Sequence, residues 1–193
     1  PLCGTAKTTT QNWITLEGCK LALQSDVNYD NGNYSSPPKK GLKAFSRNYT
    51  STLFDKEGYE EGLHLNLFDG FEDTESYLNF MDSFFGSIDA NDLLGMLNTW
   101  QMGDIGKHEK FNNNTKKALA NINCPALVMP SSTDLSFPAR NNIPEVKGMP
   151  NAELKVINTK HGHLAGGMST TLTSQEDVTL SLIHISEPTR HRL

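Results

Sequence analysis

Apolar and polar residues follow two different rhythms along the chain. From residue 8 to about residue 121, apolar residues recur every three or four positions, the period of a helix with one buried face. Over 8–25, Trp13, Leu16, Cys19, Leu21 and Leu23 form a broad apolar face behind a cap at Thr10 or Gln11. Leu42, Phe45, Tyr49 and Leu53 predict a second helix over 41–54. The run "ESYLNFMDSFF" predicts a third over 74–85. Asp89 caps a fourth over 89–101, whose inward residues are Leu93, Met96, Leu97 and Trp100. The stretch "DVNYDNGNYSSPPKKG" is loop, with its Asn-Gly step and Pro37-Pro38, and "GDIGKHEKFNNN" is a second polar loop before a short helix over 115–121.

The rhythm then shortens. Residues 126–129 are a brief apolar run, a buried strand, and 138–148 predict a short helix limited by Pro144. "AELKVIN" alternates like a strand over 152–158 and leads into the glycine-rich loop "TKHGHLAGG". Strand, loop, helix, strand, loop is part of an α/β sheet with a right-handed crossover. The helical stretch at about 41–111 has no strands between its helices, and it reads as a cap over the carboxyl edge of that sheet.

Composition narrows the function classes. The net charge is -5 and the mean hydropathy -0.48, values of a soluble globular chain. No Lys/Arg cluster marks a nucleic-acid surface. No apolar run approaches the roughly 18–20 residues that span a bilayer. Cys3, Cys19 and Cys124 are an odd, scattered set, which argues against a disulfide framework and against zinc and points to a reducing, cytoplasmic setting. A small-molecule substrate is the partner class that remains.

The chemistry gathers at two strand ends. Asp134 lies in "MPSSTDLSFPARNN", just past the first strand. A loop aspartate is ordinarily a turn-former or a helix N-cap. Open α/β sheets, however, carry their chemistry at the carboxyl ends of strands. His163 follows the second strand, and a parallel crossover returns both loops to one edge. A carboxylate on one imidazole nitrogen fixes the tautomer and stabilises the imidazolium formed when the other nitrogen takes a proton. The order Asp then His is that of an α/β-hydrolase triad, whose nucleophile comes first. No G-x-S-x-G is present, so the nucleophile elbow is expected upstream of Pro1. A metal site from His161, His163 and Asp134 is the alternative; it lacks a third strong ligand beyond that pair of histidines, and no metal is assigned. His161 reads as an exposed loop residue, and His64 and His108 as solvated.

"TWQMGDI", "ALVMPSSTDLSFPARNN…EV" and "MPNAELKVINTKHGHLAGG", together with "CGTAKTTTQNWITLEGCKLAL" and "PPKKGLKAFSR", resemble the C-terminal half of the homoserine O-acetyltransferase-like branch of the α/β-hydrolases. The resemblance covers most of 1–178. It implies an α/β-hydrolase fold with a helical cap, its N-terminal strands and elbow missing here, and a Ser-Asp-His triad working through an acyl-enzyme. Of that triad, Asp134 and His163 fall on this chain. Arg47 matches a cap arginine of the branch and is a candidate for the substrate pocket, or else a solvated helix arginine. No bound cofactor is implied; acetyl-CoA would be the donor of a transferase. Homoserine acetyltransferases follow the catalytic histidine with aspartate, and here Leu164 stands in that place.

Residues 180–190, "LSLIHISEPTR", resemble a translated transposon-type sequencing adapter. Residues 180–193 are therefore read as an artefactual or disordered tail, with 1–179 as a partial α/β-hydrolase domain. The first expectation is a fragment of a serine acyltransferase or hydrolase of the O-acetyltransferase-like group, inactive without its nucleophile. The alternatives are a plain serine esterase and a non-catalytic α/β-hydrolase-like binding protein.

Overall fold

The computed structural model describes residues 4–68 and 70–165. The stretch 180–193, read as an adapter-like tail, lies outside the described residues. In chain order the elements are α1 (Thr10–Gln24), α2 (Lys39–Thr50), α3 (Lys56–Glu60), α4 (Thr74–Gly86), α5 (Ala90–Met102), α6 (Thr115–Ala120), β1 (Ala126–Val128), α7 (Ala139–Gly148) and β2 (Ala152–Leu154), with short 3-10 turns between them. Contacts divide the described residues into two compact units. Among those residues, one draws on 4–5, 53–68, 70 and 116–165, and the other on Ala6–Thr52 and Phe71–Thr115. The stretch 41–111, read from sequence as one cap, is thus shared between them, with Leu53–Gly70 in the unit that holds the strands. No helix among the described residues is long and apolar enough to cross a membrane.

The second unit is helical. The Thr9 hydroxyl caps α1 by accepting from the Asn12 N–H at 3.1 Å, one residue before the expected Thr10. The buried stripe of α1 is Asn12, Leu16, Cys19 and Leu23, spaced four, three and four. Trp13 and Leu21 lie off that stripe and are 47% and 65% exposed, so the expected broad apolar face is narrower than its composition suggests. On α2, Leu42 and Phe45 are buried, and the Phe45 ring stacks on Tyr49 and meets the edge of Phe85 from α4 at 5.1 Å. Each fully buried ring or branched chain of this kind contributes about 1.5–3 kcal/mol. Asp73 and Ser76 form a reciprocal capping box at the start of α4. Asp89 caps α5 as expected, accepting from the Asn91 and Asp92 N–H groups. The stripe of α5 runs through Ala90, Leu93, Leu94 and Leu97. At about 100° per residue Met96 lies about 110° from the centre of that stripe and is 56% exposed, while Trp100 lies nearer to it and is half-buried.

The first unit carries the sheet. β1 and β2 pair in parallel, Ala126 with Ala152, Leu127 with Glu153 and Val128 with Leu154. The expected strands are longer than those observed. Pro130 supplies no N–H at a position that faces β2, so regular pairing is interrupted there. The Ile157 N–H still donates to the Pro130 carbonyl at 2.9 Å. α7 runs through Pro144 rather than stopping at it. The missing N–H removes one intrahelical bond, a cost of about 3 kcal/mol in an isolated helix. His64 is buried, not solvated: it is 4% exposed, with its ring centroid 5.2 Å from Tyr59 and 6.5 Å from Phe54. Burial pushes its pKa down, which keeps the ring neutral. His108 is exposed, and its Nδ1 accepts from the Lys110 N–H.

Gly41 lies where α2 crosses close to the end of α1. A Cβ there would collide with the Leu23 carbonyl oxygen and come within 2.9 Å of the Asp26 Cβ. The backbone oxygen has no rotamer with which to escape. Gly41→Ala is expected to destabilise the helical unit by about 1–3 kcal/mol, read as a lower denaturant midpoint at unchanged slope.

Candidate active site

Asp134 stands three residues after Ser131, whose partner across the parallel pairing is Ile157. Its side chain is 4% exposed. One carboxylate oxygen, Oδ1, accepts from the Ser136 N–H at 2.7 Å and the Phe137 N–H at 2.9 Å. This is the turn-forming role open to any loop aspartate. The other oxygen, Oδ2, lies 3.0 Å from His163 Nδ1. One oxygen thus closes the turn, and the other makes the contact with His163 that the strand order predicts. Burial raises the pKa of the Asp134 carboxyl, but the bond to His163 and the two backbone N–H groups outweigh it and hold the pKa below the usual carboxylate range.

His163 sits on a 3-10 turn, Gly162–Leu164. Its backbone N–H donates to the Leu53 carbonyl at 2.8 Å, so the 53–55 segment backs the histidine loop. Gly162 has φ +56, and a Cβ there would lie 2.6 Å from the Leu53 oxygen and 2.8 Å from the Phe54 Cα. Only glycine meets both demands. The Phe137 ring lies 5.5 Å from the imidazole at 30° between planes. The His163 side chain is 16% exposed against 4% for Asp134, so the imidazole is the more accessible member of the pair. An Nδ1–H directed at the carboxylate places the ring's lone pair on Nε2.

The remaining candidates are placed elsewhere. His161 is half-buried, not exposed; its Nδ1 lies 2.8 Å from the Thr159 hydroxyl, and burial pushes its pKa down. Among the described residues, no group of three or more His, Cys, Asp and Glu is arranged to hold a metal ion. Arg47 lies in the helical unit, where Nε and Nη2 donate to Asp82 and Nη2 also to Glu75 at 3.2 Å. Those bonds, Asp82 foremost, raise its already high pKa further. The backing by Leu53 was not visible in the sequence. The one local sign of a tight turn was the glycine of "HGH".

No protein-family model matches the chain. A probable esterase of Corynebacterium glutamicum is 33% identical over 167 residues, 85% of this chain and 47% of that protein. The ethyl acetate hydrolase of Pseudomonas veronii is 31% identical over 166 residues, 84% of this chain and 46% of that protein. The solved structure of an acetylester hydrolase from Corynebacterium glutamicum superposes with a TM-score of 0.81 at 31% identity, covering 94% of this chain and 52% of that one. Over about half of their length, the chain shares the α/β-hydrolase fold of its structural neighbours. Homoserine O-acetyltransferases are also among its relatives, that of Chloroherpeton thalassium at 26% identity over 152 residues, 76% of this chain and 39% of that protein. The chain spans about half the length of the curated relatives that it matches.

The low pKa of Asp134 links the site to stability. A folded pKa below the unfolded value of about 3.9 adds stability that is complete above that value and is lost as pH falls through the folded pKa. Denaturant midpoints of the chain and of Asp134→Asn are expected to differ at about pH 6 and to converge toward about pH 2. A gap that stays constant across that range would show the carboxylate to be indifferent to its partners.

Proposed function

We propose that Asp134 and His163 are the acid–base half of a serine-nucleophile site that cleaves small acyl esters through an acyl-enzyme. The observation that carries the reading is the 3.0 Å contact between Asp134 Oδ2 and His163 Nδ1. In this reading His163 Nε2 takes the proton of the attacking hydroxyl, and the tetrahedral intermediate forms. The imidazolium returns that proton to the departing alcohol. The same cycle with water frees the acid. Asp134 holds the imidazole upright and balances its positive charge without itself being protonated. The sequence contains no G-x-S-x-G, so the serine and the oxyanion amides are not assigned within residues 1–193.

Hydrolysis is favoured over transfer to homoserine by two observations. The relatives above 30% identity carry esterase or hydrolase names, and the homoserine acyltransferases lie below it. Leu164, half-buried directly after His163, offers no carboxylate to an amino-acid ammonium. Acyl transfer from acetyl-CoA to an alcohol is the second reading, supported by those same homoserine relatives.

The test extends the coding sequence to the length of the relatives and follows hydrolysis of ethyl acetate and p-nitrophenyl acetate. His163→Ala and Asp134→Asn are each expected to lower kcat about 10⁴-fold or more with the fold intact. The 193-residue chain alone is expected to show no turnover. Full activity in His163→Ala would overturn the assignment.

Specificity has its own test. With acetyl-CoA as donor, Leu164→Asp is expected to raise kcat/KM for homoserine relative to simple alcohols about ten- to a hundredfold, the value of one charge-assisted contact. A parent enzyme that already prefers homoserine a hundredfold would defeat the role given to Leu164.

A further inference from the structure

We propose that the Thr133 hydroxyl is the positioning group that sets the register at which Asp134 meets His163. The proposal rests on the acid–base reading of that pair. The parallel pairing joins residues 26 apart, from Ala126 with Ala152 to Ser131 with Ile157. Thr133 keeps that offset: its hydroxyl donates to the Thr159 carbonyl at 2.7 Å, across a separation of 26. Asp134, the next residue, does not keep it. Its partner His163 is 29 residues on. Lys160, His161 and Gly162 therefore leave the register between the strand offset and the functional pair.

The same Thr133 oxygen holds both ends of that three-residue excursion. It gives its proton to the Thr159 carbonyl at the start and accepts the Gly162 N–H at 3.2 Å at the end, across a separation of 29. A hydroxyl has one proton to give and lone pairs to accept with, and here both capacities are used across two loops. Ser132 secures only the start, through the Thr159 carbonyl and N–H at 3.2 Å each. His161 closes the excursion within its own loop, Nδ1 to the Thr159 hydroxyl. Thr133 adjoins Asp134, and Gly162 adjoins His163. One oxygen thus ties the residue before the carboxylate to the residue before the imidazole. It also anchors the turn whose glycine has positive φ, where the chain has most freedom to drift.

Valine has nearly the shape of threonine but neither donates nor accepts. Thr133→Val leaves the Thr159 carbonyl and the Gly162 N–H without that partner, while Thr133→Ser keeps the oxygen and loses only the methyl. The experiment is NMR of the ¹⁵N-labelled 193-residue chain, following the imidazole Nδ1–H signal that Asp134→Asn removes. In Thr133→Val that signal is expected to vanish or its proton to exchange with water about tenfold faster, with circular dichroism unchanged. Thr133→Ser is expected to match the parent. A parent chain with no such signal would overturn the acid–base reading itself. A normal signal in Thr133→Val, or a Thr133→Ser that fails in the same way, would overturn the positioning role alone. Unfolding of Thr133→Val while Thr133→Ser folds would assign the hydroxyl to stability and likewise overturn it.

Discussion

Parallel pairing of two three-residue strands is the constraint from which the site follows. β1 is brief because Pro130 removes a backbone donor on the side that faces β2, yet the register is fixed by the ladder from Ala126 to Ser131. Parallel strands send their following loops out at the same edge. Two residues 29 apart in sequence thereby come within a hydrogen bond. A slip of one residue would displace Asp134 by about 3.3 Å and turn its side chain to the opposite face. The contact tolerates no such slip.

Burying a carboxylate is unfavourable unless its lone pairs are met. Asp134 meets that demand with two backbone N–H groups on one oxygen and the imidazole on the other. The backbone bonds fix the direction of the carboxylate, because Ser136 and Phe137 belong to its own turn. The imidazole is held by the Leu53 carbonyl on its backbone N–H and by Phe137 against its ring. Orientation therefore comes from neighbours that themselves have little freedom, which is what precise proton transfer requires.

The helical unit shows how charge joins elements whose apolar stripes do the packing. Arg47 on α2 reaches Asp82 and Glu75 on α4, and Lys43, one turn earlier, also lies 3.5 Å from Asp82. The same two helices share the Phe45–Phe85 contact. Asp82 retains only 14% exposure, so its pairing with the fixed fork of Arg47 is more than a surface contact. The arginine that resemblance offered as a pocket residue is thus tied into the junction of α2 and α4.

Local chemistry determined much of this protein from the sequence alone. Helical periodicity located α1, α2, α4 and α5 within a few residues. Asp89 named its own cap. The change of rhythm near residue 126 announced the strands, and the order Asp134 then His163 announced the pairing. These signals lie within a turn or a strand, where spacing and backbone donors suffice to specify structure. Only the tertiary structure decided which apolar residues stay in water, since Trp13, Leu21 and Met96 differ from their buried neighbours by what packs opposite them. It also decided that His64 is buried among Phe54 and Tyr59 and that Pro144 lies inside α7. It decided, too, that three residues leave the register before His163, with Leu53 behind the loop. Each of these depends on groups remote in sequence or on contacts that outweigh a local preference, and no spacing within the chain encodes what arrives from elsewhere.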